Sequence, residues 1–378
     1  MTTDSPPLVE QPTGSLSFPQ RLRWLDNLKV ALVAGVIVAH AFITYGNVGS
    51  WQYNEPSGND LFNVIASLSV SIGAFFAMGL FFLIAGWLTP RSLARKGSRV
   101  FVRDRLVRLG LPFLAFLFLI YPLVGWMGDG MEGSAIIALR EEVEVLDPGP
   151  LWFVAVLLIF SLGYVAWRTI RPATGLAPTL AGSHLVRLGG LVAITTFLIR
   201  LEFPIDSVQV LWLHVWMWPQ CLGLFALGIL AGERGWLDPV PDAIRRGAGR
   251  WAAAAVLLLI AAFAVSHESV DPFSGGWTWQ ATVVAATEGT MSVALAVWLL
   301  AFFQRRHNRG GPVARAAGRA AFGAYILQAP VLVGMALGLR GLPVAPEVKF
   351  LVVAPLGLLL SFALAWGLTR VPGIRRVI

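Results

Sequence analysis

Ten uninterrupted apolar stretches constrain this chain more than any other feature, each near the length needed to cross about 30 Å of hydrocarbon. They cover residues 28–46, 61–89, 106–128, 151–167, 185–203, 210–232, 251–266, 279–303, 318–339 and 349–370. In lipid every backbone polar group must be bonded internally, so only helices or a closed barrel can span. A transmembrane barrel needs strands of alternating polarity, and these runs are continuous. Composition agrees, with 56% of residues hydrophobic and 13% charged, against about 25% charged in soluble domains. We expect an all-α, polytopic transmembrane helix bundle of about ten spans. Residues 1–20 are polar and Pro-rich and are expected to be a disordered segment ahead of one membrane domain, residues 21–378. They contain no apolar h-region, so no cleavable leader is expected and the first span serves as the anchor.

The net charge of +8 is arranged for topology rather than for nucleic acid. Of 29 Lys and Arg residues, only Arg140, Arg200, Arg340 and Lys349 fall on one side of the spans. The rest cluster on the other side, as in Arg91–Arg108 and Arg305–Arg319. The positive-inside rule then places both termini in the cytoplasm, and an even number of spans requires the same. A multi-pass protein of the cell (plasma) membrane is expected. The loop Asp129–Asp147 on the other side is acidic and is expected to be a solvated loop. Cys221 is the single cysteine, so no internal disulfide can form. No pair of matching interrupted helices suggests an inverted-repeat transporter. Oligomeric state leaves no signal in the sequence.

Signatures of soluble enzymes are missing: the chain has no GxxxxGK[ST], HExxH or GxSxG. Gly128, Gly130 and Gly133 match GxGxxG formally, but no strand precedes them. His184, His214, His267 and His307 show no metal-ligand spacing, and no metal or resident cofactor is expected.

Ionisable groups inside the spans are therefore informative, because each is costly in lipid and is by default a functional candidate. Lys29 and His40 lie on the first span, roughly 17 Å apart along a helix axis and close to one face. Lys29 would mark the cytoplasmic edge and His40 a point past the membrane middle. Glu288 enters the eighth span from the other side to a comparable depth, and pairing it with His40 would make a general-base arrangement. Bland alternatives exist for both: a histidine bonded to a neighbouring carbonyl, and a carboxylate bridging helices. Arg105 and Arg108, three apart at the cytoplasmic rim, would suit bidentate phosphate binding or would simply fix orientation. Trp212, His214, Trp216 and Trp218 crowd one end of the sixth span, as an interfacial aromatic belt or a surface on which sugar rings stack.

Several of these segments, in this order, resemble the acyltransferase 3 family of ten-helix membrane acyltransferases. Arg23-Trp-Leu-Asp26-Asn-Leu-Lys29 through His40 is similar to the family's first helix, with Asp26, Lys29 and His40 matching its pattern of an Asp, a basic residue, ten residues and a His. Phe81-Phe-Leu-Ile-Ala85-Gly86 resembles the FFxxSG segment, and Arg105-Leu-Val-Arg108 with Pro112 resembles the RxxR stretch. Trp152-Phe153, Arg200 before Pro204, Phe225 through Ala231 with Trp236, and Glu288 ahead of Arg305-Arg306 follow in family order. Gly323-Ala-Tyr325-Ile-Leu-Gln328 resembles a late segment that usually reads YxxH, and Gln328 departs from it.

The resemblance implies transfer of an acyl group, acetyl by expectation, from cytoplasmic acyl-CoA to a hydroxyl of an extracytoplasmic glycan. His40 would be the general base or a transient acyl carrier, with Glu288 orienting it. Lys29, Arg105 and Arg108 would hold the acyl donor. Arg200 and Trp152 would serve the glycan acceptor or an oxyanion, and Asp26 would support the first helix. Acyl-CoA is then a co-substrate rather than a cofactor. The rival expectation is a proton-coupled transporter or flippase, since a His–Glu pair in mid-membrane also suits a proton relay.

Overall fold

The computed structural model of the chain describes residues 22–49, 51–131, 134, 136–137, 140, 146–171, 179–266, 271–374 and 377. The N-terminal segment 1–20, the acidic residues Glu132, Glu141, Glu142 and Glu144, and His267 lie outside the described residues.

Ten long apolar helices form a bundle: α1 Arg23–Tyr45, α2 Asp60–Lys96, α3 Ser98–Gly128, α4 Gly149–Ile170, α5 Gly182–Ile199, α6 Val215–Arg234, α7 Asp242–Val265, α8 Trp279–Arg306, α9 Pro312–Leu339 and α10 Pro346–Leu368. No strand occurs among the described residues. Every expected span is present, and most extend beyond the apolar run into polar flanks. The bundle is dense at α8 and α9 and thin at α5, the least enclosed helix. Large side chains such as Leu257, Leu351, Leu359 and Ile194 point outward. That surface suits hydrocarbon and would be untenable in water.

With lipid outside, apolar burial does not hold helices together, and close backbone approach takes over. Gly228 of α6 meets α2 at Leu83 and Gly86, and Gly232 meets it one residue on, at Trp87. A Cβ on Gly228 would sit 2.2 Å from the Leu83 carbonyl oxygen, and one on Gly86 would sit 2.3 Å from that of Phe225. A second crossing joins α5 to α8, where a Cβ on Gly289 would lie 2.4 Å from the Gly189 carbonyl oxygen. Glu288 is the neighbour of that glycine, so the crossing brings α5 against the helix carrying the carboxylate.

Two helices depart from the expectation. α3 is interrupted by π-helical turns at Leu106–Gly110 and Phe116–Ile120. Pro112 and Pro122 each stand two residues beyond a π turn, and each removes a backbone donor and crowds the carbonyl four residues earlier. A wider turn relieves both effects. α6 begins at Val215 rather than at 210, because Leu211, Trp212 and His214 hold φ of 54°, 49° and 48°. Trp212 and His214 therefore belong to the connection into the helix, not to its first turns.

Candidate active site in the bundle

His40 lies on α1 about 8 Å short of its end at Tyr45, counted at 1.5 Å per residue. Its Nδ1 is 2.9 Å from the Val36 carbonyl oxygen. A carbonyl can only accept, so Nδ1 carries the proton and Nε2 keeps its lone pair. The residue is half-buried, and its ring is covered on one side by Trp51, with ring centroids 5.0 Å apart. Thr44 links the two: its hydroxyl donates to the His40 carbonyl and accepts from the Trp51 indole N–H, both at 3.0 Å. Trp51 was not legible in the sequence, because its proximity to His40 depends on the loop after α1 folding back; Thr44 was within reach as the residue one turn beyond His40 on the same helix.

The expected pair of His40 with Glu288 is not formed. Glu288, fully buried on α8, accepts from Arg200 Nη2 through Oε2 and from Gln220 Nε2 through Oε1 at 3.0 Å. The direction of the helices explains the exchange of partners. Side chains lean toward the N-terminus of their own helix. Arg200, at the C-terminal end of α5, reaches back into the bundle, and Glu288 leans toward it from the antiparallel α8. The Arg200 guanidinium also lies 5.3 Å from the Trp216 ring centre. Its Nε and Nη1, and Gln220 Oε1, are buried without hydrogen-bond partners. The cluster is thus an ion pair with unused donors and one unused acceptor. Gln220 was visible in the sequence as an amide inside an apolar helix.

Beside this cluster Trp152 stacks on His214, with centroids 5.0 Å apart and planes at 25°. His214 Nδ1 donates to the Trp212 carbonyl oxygen at 2.7 Å. Burial lowers the imidazole pKa below its ordinary value, while that bond, Asp206 and Asp147 raise it. Burial likewise pushes the Asp147 carboxyl up, opposed by a hydrogen bond from the Gly149 N–H.

At the basic end, Lys29 Nζ lies 3.5 Å from Asp26 Oδ1. Asn27 donates to the carbonyls of His307 and Arg309 at 2.7 and 3.0 Å, fastening the α8–α9 connection to α1. A depression of about 140 Å³ opens there, lined by Arg23, Asp26, Asn27, Gly310, Ala314 and Arg315. Arg105 and Arg108 do not act alike. Arg105 is half-buried, donates to Thr89 Oγ1 at 3.2 Å and sits over the Phe101 ring at 4.9 Å. Arg108 is exposed, within the first π turn. No hydrogen bond or ion pair among the described residues joins either to Lys29.

Gln328 is fully buried, with neither amide atom hydrogen-bonded. Three residues earlier Tyr325 donates its hydroxyl to the Pro150 carbonyl, pinning α9 to the start of α4. Residues 22–370 match the family model described as an acyltransferase domain. No curated protein and no solved structure matches the chain with significance.

Proposed function

The chain belongs to the acyltransferase 3 family, whose model covers nearly its whole length; from that premise we propose that His40 moves an acyl group, acetyl in the simplest case, from cytoplasmic acyl-CoA to a hydroxyl of an extracytoplasmic glycan. Membership and the ten helices make it a multi-pass membrane acyltransferase. Donor, acceptor, plasma-membrane location and cytoplasmic termini are our reading. One observation carries it: Nδ1–H of His40 is committed to a backbone carbonyl, which leaves Nε2 as a base inside the membrane.

His40 Nε2 takes the proton of the acceptor hydroxyl as that oxygen attacks the thioester carbonyl. The C–S bond breaks and the imidazolium returns the proton to the departing thiolate. The Val36 carbonyl holds the ring orientation throughout and stabilises the imidazolium. Arg200, through its unused Nε and Nη1 donors, would bind the acceptor or the developing oxyanion. Glu288, itself held by the Gln220 amide, holds that guanidinium in place. Trp152 and His214 would line the acceptor's approach. The acyl donor would lie at the basic end, with Lys29 and Arg105 on its phosphates, Arg108 at the rim and Asp26 orienting Lys29. The depression there is well below the roughly 300–1,000 Å³ of small-molecule pockets, so it would take one phosphate group rather than the whole donor. In this reading residues 21–378 form one catalytic membrane domain, preceded by the polar segment 1–20.

The test is purified protein with radiolabelled acetyl-CoA and a membrane glycan fraction. Covalent label on the glycan, lost in His40→Ala, is expected. Retention of more than about a tenth of the activity in His40→Ala would remove His40 from the centre, since loss of a general base costs roughly 10²–10⁴-fold.

A further inference from the structure

The connection from α1 to α2 is fastened as a strap across the end of α1 nearest His40. Asn54 Nδ2 donates to the Ile43 carbonyl at 2.8 Å, and the Glu55 and Ser57 N–H groups donate to the Thr44 and Tyr45 carbonyls at 2.7 and 2.8 Å. Glu55 pairs with the buried Lys349 of α10 at 2.6 Å, and the Ser57 hydroxyl donates to Glu347 at 2.6 Å. Gln52 presses on α3, where a Cβ on Gly128 would lie 1.9 Å from its carbonyl oxygen. A linker needs none of these ties. Within the strap the Trp51 N–H donates to Asn54 Oδ1 at 3.2 Å, and the Trp51 ring lies over that of His40.

Trp51 is held by the turn that carries the imidazole, through Thr44, and its ring centroid lies 5.0 Å from that of His40 at 46°. An imidazole that activates an acceptor hydroxyl activates water equally well. Water attack on the thioester carbonyl would break the same C–S bond, with His40 relaying the water proton to the thiolate, and would yield a free acid and a thiol. His40 stands about 8 Å from the strap-covered end of α1, so water has a short way to come.

We propose that Trp51 is a positioning residue that shields the His40 imidazole from water and thereby directs the acyl group to the glycan hydroxyl instead of to hydrolysis. The indole also lies within cation–π range of the imidazolium formed during transfer. The proposal rests on the acyltransferase reading above, and two readouts separate the two. The first needs no activity: the rate at which diethyl pyrocarbonate modifies His40, followed by mass spectrometry of its peptide. The second is thiol release from acetyl-CoA without acceptor, set against label transferred to the membrane glycan fraction.

In Trp51→Ala, His40 modification and the ratio of hydrolysis to transfer should each rise about tenfold, as expected when water enters a site that excluded it. Trp51→Phe should restore both toward wild type, since a ring remains over the imidazole. Thr44→Val, which removes only the hydroxyl that holds the indole, should give an intermediate rise and serves if Trp51→Ala does not fold. Unchanged His40 modification in Trp51→Ala and Thr44→Val would overturn the shield. Faster modification with an unchanged ratio would overturn its role in partitioning. A shielded His40 in a wild-type protein that labels no glycan would count against the acyltransferase reading and leave the shield standing.

Discussion

Glu288 is where residue-level physics most changes the picture, because a carboxylate in mid-bundle has to be paired and the pairing decides its role. Its partner is Arg200, an Arg with 2% exposure against 0% for the acid. Removing one member leaves the other charge buried, which costs roughly 3–5 kcal/mol, while replacing both by apolar groups is often neutral. Glu288→Gln should therefore lower thermal stability in detergent strongly, and Arg200→Met with Glu288→Leu should recover most of it. The acid limb of the pH–rate profile should not move in Glu288→Gln, since the carboxylate faces a guanidinium and not the imidazole. A moved limb would return Glu288 to His40. Arg105 calls for a different measurement. With its side chain over Phe101 and against Thr89, Arg105→Ala should raise the KM for acyl-CoA more than that for the acceptor, and Arg105→Lys should rescue only in part. An unchanged KM for acyl-CoA in Arg105→Ala would confine the basic run to a topological role. The sequence showed which residues are ionisable in the membrane, since hydropathy alone exposes them. Their partners were not legible, because matching depths say nothing about which helices are neighbours or which way side chains lean.

At the level of elements, the segment from Asp206 to His214 gathers four of the positive-φ non-glycine residues among the described ones. Asp206, Leu211, Trp212 and His214 all hold positive φ, at a cost of order 1–3 kcal/mol each for such backbone. The buried Gln209 holds the turn, accepting from the Val215 N–H and donating to Ser207, while Trp218 donates to the Leu213 carbonyl at 2.8 Å. This holds His214 against Trp152 beside Arg200. His214 supplies a pH test. Its folded-state pKa is lowered by burial, so the unfolded chain binds more protons as pH falls below about 6.5, the ordinary imidazole value. The stability it contributes is present above that pH and is lost on acidification. Asp147 carries the opposite sign, since its carboxyl is pushed up, and it acts nearer the carboxylate range. The midpoint of thermal unfolding should fall between pH 7 and 5.5, and His214→Gln should flatten that fall. An equal slope in the variant would show that His214 is not the group responsible. The α3 helix teaches a related lesson. Its span was legible from hydropathy and its prolines were in plain view, yet a helical wheel drawn through Arg105 and Arg108 assumes a regular α-helix that the π turn at Leu106–Gly110 does not provide.

For the whole molecule, the bundle's architecture follows from the apolar runs, but its orientation follows only from where the cations sit. Ten crossings put both ends of the chain on the side of Arg23, Arg95, Arg234 and Arg305. The positive-inside rule favours that side as the cytoplasmic one, and the proposed chemistry depends on it: cytoplasmic acyl-CoA would meet Lys29 and Arg105, while the glycan would meet His40 and Arg200 from the other face. A reversed bundle would leave the proposed donor site facing a compartment without acyl-CoA. Two exposed positions test this, Asn308 between α8 and α9 and Trp277 ahead of α8. The single native thiol, Cys221, is fully buried, so it should stay silent toward a maleimide reagent. In intact cells a membrane-impermeant maleimide should label Trp277→Cys and spare Asn308→Cys, and both should react after permeabilisation. Labelling of Asn308→Cys in intact cells would invert the topology and, with it, the assignment of Lys29 and Arg105 to a cytoplasmic acyl donor.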